Sequence, residues 1–282
     1  MSDDTRTRLR RALNAAGLQA RAIEHYERLR AGVSNRSYRV GANGDTFVVR
    51  LSEPGHEATL SLEEEGRLLE AVSQAGLGPE LVAANADEGA LITRYISAPC
   101  WTPEAAGQAA NIERAAALLK RLHRVAAAPP RYDPEAYAQR YCEQAAARGD
   151  LDARTRRLSD ELKVRARDLP GAPGESVFCH NDLVAANILD NGGLMLVDFE
   201  YAVLAQPIVD LASLAAMNDF DALRRGQLLD AYYGPGRAPY ADSDFVNVVR
   251  LQRLLAYFWA MGAPSGQTHE QRAPFAARPS NE

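Results

Sequence analysis

The chain has 282 residues, 46% of them hydrophobic and 24% charged, a composition that is ordinary for a globular protein with a substantial core. Its formal net charge of −5 argues against a protein that binds nucleic acid by neutralising phosphates. Its three cysteines form no C-x-x-C pair, its start lacks the apolar core of a secretory signal, and no apolar run could span a bilayer. We therefore expect a cytoplasmic protein without a zinc site, a disulfide framework or a membrane anchor.

The first hundred residues predict two helices and a five-stranded antiparallel sheet, because apolar positions recur at helical spacing in two segments and lie in short strand-like runs in others. The predicted helices cover residues 5–20 and 60–75, and the predicted strands cover residues 25–29, 31–40, 46–51, 81–84 and 90–96. Turn residues at 32–35 and 41–45 should join the first three strands into consecutive hairpins.

Two features of this sheet favour a phosphate-binding role. The turn over residues 32–35 carries the short polar side chains Ser34 and Asn35 and can present backbone N–H groups to phosphates, although a plain hairpin turn has the same pattern. Arg50 lies near the end of the third strand and could bind phosphate oxygens in a bidentate manner, although an exposed arginine at a strand end is common. One of the three consecutive glutamates at residues 63–65 should face Arg50 and hold it in place.

Beyond the breaker at residues 97–99, the sequence predicts mainly helices. These helices cover residues 111–124, 134–148, 153–168 and 243–261. We therefore expect an N-lobe over residues 1–97, a C-lobe over residues 98–262, and a disordered tail over residues 263–282, which are polar and without periodicity.

Residues 180–201 hold the polar groups that a phosphotransfer site needs. Asp182 should lie in a turn between two short strands, where its carboxylate can position an acceptor hydroxyl and accept its proton. Asn187 and Asp198 offer a neutral and a charged oxygen to Mg²⁺, which prefers oxygen ligands. The turn chemistry of residues 190–193 predicts a hairpin that brings Asn187 near Asp198. The alternative is a surface hairpin whose polar side chains only cap turns.

The motif H-N-D-L-x-x-x-N at residues 180–187, followed by V-D-F-E-Y at residues 197–201, resembles the choline/ethanolamine kinases within the aminoglycoside-phosphotransferase-like superfamily. The resemblance extends over about residues 20–260. It implies an α+β, bilobed protein-kinase-like fold with a small antiparallel-sheet N-lobe and a larger, mainly helical C-lobe. It also implies ATP and Mg²⁺ as cofactors, and catalytic roles for Asp182, Asn187 and Asp198.

Two other segments extend the resemblance to the nucleotide. G-V-S-N-R-S-Y, beginning at residue 32, is similar to the family's phosphate loop, which implies that Ser34 and Asn35 bind the nucleotide. Residues 91–96 stand where the family has the hinge that binds adenine through backbone groups, which makes Thr93 and Tyr95 candidates for nucleotide contacts.

The supporting residues also follow from the resemblance. G-L-G-P is similar to the family's G-L-x-P after the second helix, and counting back from it selects Glu65 as the partner of Arg50. P-I-V-D-L-A resembles the family's P-x-x-D-L-A, which implies that Asp210 caps the next helix and braces the loop by accepting backbone hydrogen bonds. For His123 and His180 we expect structural rather than catalytic roles.

An ammonium group is bound by aromatic faces together with a carboxylate, and choline kinases use aromatic residues of a late helix for this purpose. Tyr257 and Trp259 are therefore candidates for the acceptor site, and Glu200 is a candidate for pairing with the amine or a second metal. Phe258 points to the same side of its helix as three leucines and is expected in the core. The alternative is that all three aromatic residues lie in the core or on the surface.

These observations favour an ATP- and Mg²⁺-dependent kinase of a small amino alcohol, with choline first and ethanolamine second. The nearest alternative is a thiamine or aminoglycoside kinase of the same fold. From a different class, the alternative is a catalytically silent module that only binds a ligand. The sequence leaves the oligomeric state open.

Overall fold

The structure, a computed structural model, describes residues 3–18, 23–29, 36–52, 60–147, 149, 152–169 and 176–262. The predicted turn at residues 32–35, with the candidates Ser34 and Asn35, lies outside the described residues, as does the predicted tail. The described residues pack into two compact units. The sheet unit comprises the described parts of Met1–Trp101, Arg124–Pro129 and Ala186–Ala202, and the helical unit comprises those of Thr102–His123, Pro130–Ala185 and Val203–Glu282.

In the sheet unit, two helices and seven strands are described. They are α1 (Asp3–Ala15), β1 (Ile23–Arg28), β2 (Arg36–Ala42), β3 (Asp45–Leu51), α2 (Leu62–Gln74), β4 (Leu81–Asn85), β5 (Ala90–Arg94), β7 (Ile188–Asp190) and β8 (Leu194–Leu196). In the helical unit, the described elements are α3 (Pro103–Ala106), α4 (Ala109–Leu122), α5 (Pro134–Ala147), α6 (Ala153–Arg167), β6 (Val177–Cys179), β9 (Val203–Ala205), α7 (Ile208–Met217), α8 (Ala222–Tyr233) and α9 (Asp242–Gly262). No helix among these has an apolar stretch long enough to cross a membrane.

The five-stranded antiparallel sheet predicted from the sequence is confirmed, with the strand order β1-β2-β3-β5-β4. Alternation along β3 buries Phe47, Val49 and Leu51 in one core with Leu9 and Leu13 of α1. The β2–β3 hairpin turns at an Asn-Gly pair whose two residues both have positive φ, 57° and 80°, as a tight hairpin of this twist requires. β3 therefore lies at the centre of the sheet, and Arg50 near its end is held in a defined register.

α2 begins with a capping box that decides which of its three first-turn glutamates turns inward. The side chain of Ser61 accepts a hydrogen bond from the N–H of Glu64, and the carboxylate of Glu64 accepts one from the N–H of Ser61. Glu63 and Glu64 are exposed, whereas Glu65 is buried. The first turn of α2 thus directs Glu65 alone into the interior.

The helical unit is built around α5, α6 and α9, which share a buried cluster. Phe258 has no exposed surface and belongs to this cluster, as predicted. Cys142 packs in the same cluster, and all three cysteines of the chain are free. Arg250 of α9 binds both carboxylate oxygens of Glu161 on α6, at 2.9 Å each, and so ties these two helices together.

Several boundaries differ from the sequence prediction. α1 ends at Ala15 rather than at residue 20, and Gly17 follows with a φ of 74°, a common way to end a helix. β5 ends at Arg94 rather than at residue 96. The pairing of β6 with β9 was not predicted, because two strands of three residues carry no readable period.

Candidate active site

A pocket of about 350 Å³ lies within the sheet unit. Most of its walls are apolar, and the polar groups lie together in one part of the pocket. The apolar side chains include Leu29, Val48, Leu69, Leu91, Ile96, Leu189, Val197 and Phe199. The pocket is also lined by all the nucleotide and metal candidates that the structure describes, namely Arg50, Glu65, Thr93, Tyr95, Asn187 and Asp198. An apolar cavity with a few convergent polar groups is the usual form of a small-molecule site.

Arg50 is the centre of the polar part of this pocket. Its Nη2 donates a short hydrogen bond to Glu65 Oε2, and its Nη1 lies 2.6 Å from Asp198 Oδ1 and 3.5 Å from Glu200 Oε2. Burial alone would lower the pKa of Arg50, but the three carboxylates outweigh it and raise the pKa, so the guanidinium stays charged. The ion pair between Arg50 and Glu65 that the sequence predicted is therefore present.

Glu65 and Glu200 are both nearly inaccessible, at 2% and 1% exposure. Burial raises the pKa of Glu65 to about 7, although the adjacent Arg50 charge opposes the rise. Glu200 was predicted to meet an acceptor amine or a second metal, and the structure places its carboxylate beside the same guanidinium. Its acceptor role stays a prediction.

The β7–β8 hairpin positions Asn187 and Asp198, as the sequence predicted. Asn187 ends a short 3₁₀ turn, Ala185–Asn187, and its carbonyl accepts a hydrogen bond of 3.1 Å from the N–H of Val197, the residue before Asp198. Asp198 itself has a φ of 69°, a left-handed conformation that is uncommon outside glycine and that recurs at functional sites. The hairpin thus brings the two candidate metal ligands into one pocket.

The donor set in this pocket fits a hard divalent cation. Asn187 supplies an amide oxygen and Asp198 a carboxylate, which are the ligand types that Mg²⁺ takes alongside the oxygens of a substrate phosphate. Three carboxylates, those of Glu65, Asp198 and Glu200, also surround the single guanidinium of Arg50. When all three are ionised they exceed its charge, and a divalent cation would offset the excess.

The segment 91–96, predicted as the hinge, divides into two parts. Thr93 is buried in β5, whereas Tyr95 follows the strand and its N–H donates to the carbonyl of Thr46 at 3.1 Å. Because that donor is already used, a nucleotide contact by the Tyr95 backbone would have to come from its carbonyl. Both residues line the pocket, and their contacts with adenine stay a prediction.

Asp182 lies in the helical unit, in the loop that follows β6. Asp210 holds this loop, since its carboxylate accepts hydrogen bonds from the N–H of His180 at 2.9 Å and from that of Asn181 at 2.7 Å. His180 is fully buried, and its Nδ1 accepts a hydrogen bond of 3.2 Å from the N–H of Asp182. The loop backbone around Asp182 is therefore fixed by a buried carboxylate and a buried imidazole.

The bracing role predicted for Asp210 is present, but its predicted role as a helix cap is wrong. Asp210 is the third residue of α7, and the cap position is occupied by Pro207, which makes no side-chain cap hydrogen bond. The Asp210 carboxylate is fully committed to the loop and to His123 instead.

Behind the loop, His123 links Asp210 to Tyr232. Its Nε2 lies 3.0 Å from Asp210 Oδ2, and its Nδ1 lies 2.7 Å from the Tyr232 hydroxyl. Because a carboxylate only accepts, Nε2 carries the proton in the neutral ring and the tyrosine donates to Nδ1. The thiol of Cys179 is close by, and burial raises its pKa well above the usual value. This group is therefore a hydrogen-bonded support with a neutral thiol, and the sequence pattern had not indicated Tyr232.

The family model described as the phosphotransferase enzyme family matches residues 25–242. The chain belongs to this family. The phosphotransferase has no significant match among the curated proteins. Its assignment confirms the family resemblance drawn from the H-N-D-L-x-x-x-N and V-D-F-E-Y motifs.

Solved structures with a protein-kinase-like fold match almost the whole phosphotransferase. The choline kinase LicA from Streptococcus pneumoniae, also solved with AMP, is 18% identical over 97% of this chain and 96% of its own, with a TM-score of 0.79. A choline/ethanolamine kinase family protein from Mesorhizobium loti is 23% identical over 92% and 84%, with a TM-score of 0.69. A macrolide 2′-phosphotransferase is 17% identical over 98% and 97%, with a TM-score of 0.68. At these identities the likeness shows the fold, which is the one predicted.

The aromatic candidates of the phosphotransferase lie on α9 in the helical unit. Tyr257 and Trp259 are half-buried and pack against the cluster that holds Phe258. Half-buried rings can still present a face to a ligand, so their acceptor role stays a prediction.

Proposed function

We propose that the phosphotransferase is an ATP- and Mg²⁺-dependent kinase that transfers a phosphoryl group to the hydroxyl of a small amino alcohol. The observation that carries this proposal is the convergence of Arg50, Asn187 and Asp198 in one apolar-walled pocket of the sheet unit. The apolar walls suit a nucleobase, and the polar part suits phosphates with their metal.

In this proposal the residues of the sheet unit bind and orient the nucleotide. Arg50, fixed by Glu65, pairs with phosphate oxygens, because a guanidinium held in one geometry loses little entropy on binding. Asn187 and Asp198 hold Mg²⁺, which neutralises charge on the phosphates when it is bound. Ser34 and Asn35 add phosphate contacts on the evidence of their sequence alone.

Asp182 acts on the acceptor in this proposal. Its carboxylate orients the hydroxyl and takes its proton as the oxygen attacks, and the bracing by Asp210 keeps the carboxylate in one place. Phosphoryl transfer of this kind depends mainly on positioning and on charge neutralisation. Asp182, Asn187 and Asp198 are all present in this chain, which argues against a silent binding module because such a module would be free to lose them.

Choline is the preferred acceptor and ethanolamine the second. The sequence features that favour them are Asn181 and the Glu200–Tyr201 pair, together with arginine rather than lysine at position 50. Tyr257 and Trp259 would contribute ring faces, each worth roughly 0.5–2 kcal/mol toward a cation. Thiamine and aminoglycosides are the alternatives, and the fold does not discriminate among these acceptors.

The decisive experiment measures ADP release with choline, ethanolamine, thiamine and an aminoglycoside in parallel, against a reaction without acceptor. Acceptor-dependent release with choline or ethanolamine supports the proposal. Release with the aminoglycoside alone would keep the kinase and exclude the amino alcohol. If choline is the acceptor, Trp259→Ala should raise the KM for choline several-fold and leave the KM for ATP unchanged. Tyr257→Phe, which keeps an aromatic ring at its position, is the control.

A further inference from the structure

Helix α5 places an arginine against two tyrosine rings in the helical unit. The Cζ atom of Arg140 lies 5.5 Å from the ring centroid of Tyr137 and 5.2 Å from that of Tyr141. The two rings are almost parallel, at 14°, with their centroids 6.3 Å apart. Both rings therefore stabilise the guanidinium by cation–π interaction and restrict where it can go.

One nitrogen of this guanidinium has no described hydrogen-bond acceptor. Arg140 Nη2 is buried, and no acceptor in the described part of the chain lies within hydrogen-bond distance of it. A buried donor without an acceptor is energetically unfavourable, and more so when the group is charged. A buried donor of this kind calls for an acceptor, which a bound anion can supply.

The position of the arginine connects it with the loop that carries Asp182. Burial is the main cause that raises the pKa of the neighbouring Tyr141 to about 12; the charge of Arg140 and its hydrogen bond to the Tyr141 hydroxyl oppose the rise, and the Asp182 carboxylate makes a smaller contribution to it. Asp182 is thus an electrostatic neighbour of Tyr141, the residue next to Arg140.

A second line of contacts reaches the same loop. The ring of Tyr132 lies 5.9 Å from that of Tyr137, and its hydroxyl lies 3.4 Å from Nε2 of the buried Gln252. The same Nε2 lies 3.5 Å from Oδ1 of Asn181, the residue before Asp182. The tyrosines and Arg140 thus belong to one packed group with the loop.

The charge of Arg140 limits what this group can bind. The guanidinium already lies against both rings, and a second cation beside it would be repelled. A carboxylate or a phosphate is attracted instead, since both match the planar fork of an arginine. The chemistry of the ligand is therefore that of an oxyanion.

We propose that Arg140, held by Tyr137 and Tyr141, binds an oxyanion on the acceptor side of the reaction. The oxyanion is either a carboxylate carried by the alcohol or the phosphate ester formed on it. This inference rests on the proposed function, because it takes Asp182 as the group that receives the acceptor. It is compatible with choline as the acceptor, whose phosphate ester would be the ligand.

Two measurements on four proteins test the site. The proteins are the unmodified chain, Arg140→Met, Arg140→Lys, and Arg157→Met as a matched control on an exposed arginine of α6. The first measurement compares kcat/KM for ethanolamine and for L-serine, which is the same amino alcohol with an added carboxylate. The second titrates O-phosphoethanolamine calorimetrically, without nucleotide. Thermal unfolding of each variant confirms that it is folded.

If the oxyanion is a carboxylate, the unmodified chain should prefer L-serine, and Arg140→Met should reduce that preference about 10- to 100-fold. If it is the phosphate ester, Arg140→Met should weaken the binding of O-phosphoethanolamine by a similar factor. The ratio of kcat/KM for L-serine to that for ethanolamine should then stay unchanged. In either measurement Arg140→Lys should fall between the unmodified chain and Arg140→Met, because lysine keeps the charge but lacks the planar, two-pronged group of arginine. Arg157→Met should have neither effect.

The proposal is overturned if folded Arg140→Met changes neither the preference nor the titration. Should Arg140→Met fail to fold, Arg140→Lys carries the same comparison, and wild-type behaviour in both measurements overturns the proposal. If the unmodified chain releases no ADP with any acceptor, the proposed function fails, whereas the titration still reads the oxyanion site.

Discussion

The guanidinium of Arg50 joins two carboxylates that lie 15 and 148 positions away in the sequence, Glu65 on α2 and Asp198 after β8. One side chain thus ties the central strand of the sheet to its helix and to the hairpin that carries the candidate metal ligands. A buried ion pair contributes little net stability, but the loss of one partner is costly. We infer that this arrangement is kept for its geometry.

Glu65→Ala should destabilise the protein by about 3 kcal/mol, at the low end for a broken buried pair because Arg50 retains Asp198 and Glu200. It should also weaken nucleotide binding, since Arg50 loses the partner that orients it. Urea unfolding and nucleotide titration measure the two effects. Glu63→Ala removes an exposed carboxylate of the same helical turn and should change neither; equal effects of the two variants would contradict the argument.

Asp182→Asn should lower kcat by about 10²- to 10⁴-fold, because a general base typically contributes this much. Nucleotide affinity should be preserved, and the rise in melting temperature on adding Mg-ATP reports it. Asp160→Asn, an exposed aspartate of α6, is the control. Turnover at the unmodified rate by Asp182→Asn would remove the catalytic role of the loop.

Asp198→Ala should abolish the Mg²⁺-dependent part of nucleotide binding, because it removes a charged oxygen ligand. Asn187→Ala should have a smaller effect, since the lost oxygen is neutral. Nucleotide affinity is measured with Mg²⁺ and with EDTA for each protein. If nucleotide affinity changes neither on removal of Mg²⁺ nor in Asp198→Ala, the silent binding module is favoured instead.

Asn181 has a φ of 63°, a left-handed conformation that asparagine and glycine adopt more easily than other residues. Asn181→Gly should therefore keep the fold and most of the activity. Asn181→Val should cost about 1–3 kcal/mol, since a β-branched side chain is strained there, and should lower kcat by displacing Asp182. Comparable stability of the two variants in thermal unfolding would show that the loop relaxes freely.

Glu161 should make the free energy of unfolding of the protein depend on pH. Its hydrogen bonds to Arg250, helped by Arg165, lower its pKa to about 2 against the partial burial that would raise it. A lowered pKa in the folded state stabilises the protein above the ordinary glutamate pKa, and this contribution is lost as the pH falls toward 2. Glu161→Gln should thus cost about 1–2 kcal/mol at pH 7. The difference between the two proteins should shrink below about pH 4.5.

The control for this pH effect is Glu135→Gln. Glu135 pairs with Arg167 at 3.4 Å, but both side chains are more than half exposed, so the pair should contribute little. Unfolding free energies at pH 7, 5 and 3 make the comparison. A constant difference between the unmodified protein and Glu161→Gln over this range would refute the assignment.

Local signals in the sequence were sufficient for much of the sheet unit. Turn residues at 190–193 predicted the hairpin, and a single arginine at a strand end, read with the family resemblance, predicted the pair with Glu65. The support behind the loop could not be read in this way. The contacts of His123 with Asp210 and Tyr232 span 87 and 109 positions, and no local period encodes such pairings.

Arg140 illustrates a different limit. Its residue type and its place on an amphipathic helix are those of an ordinary surface arginine, and the sequence pattern did not indicate it. The role proposed for Arg140 depends on the burial of one nitrogen and on the spacing of two rings, and only the packing of the fold determines these. Residues that act through such packing are the ones that motif reading leaves out.

The proposed nucleotide pocket is built from segments of the chain that are synthesised at different times. The described residues of the sheet unit include Ala186–Ala202, whose hairpin hydrogen-bonds Leu77, Pro99 and Trp101. On the ribosome, the five strands emerge well before this hairpin, and the nascent sheet has to wait for it through the synthesis of α3 to α6. Until residue 202 has left the ribosome, Asn187 and Asp198 cannot take their places beside the sheet. If the proposed function holds, ATP cannot yet act as a ligand that favours folding.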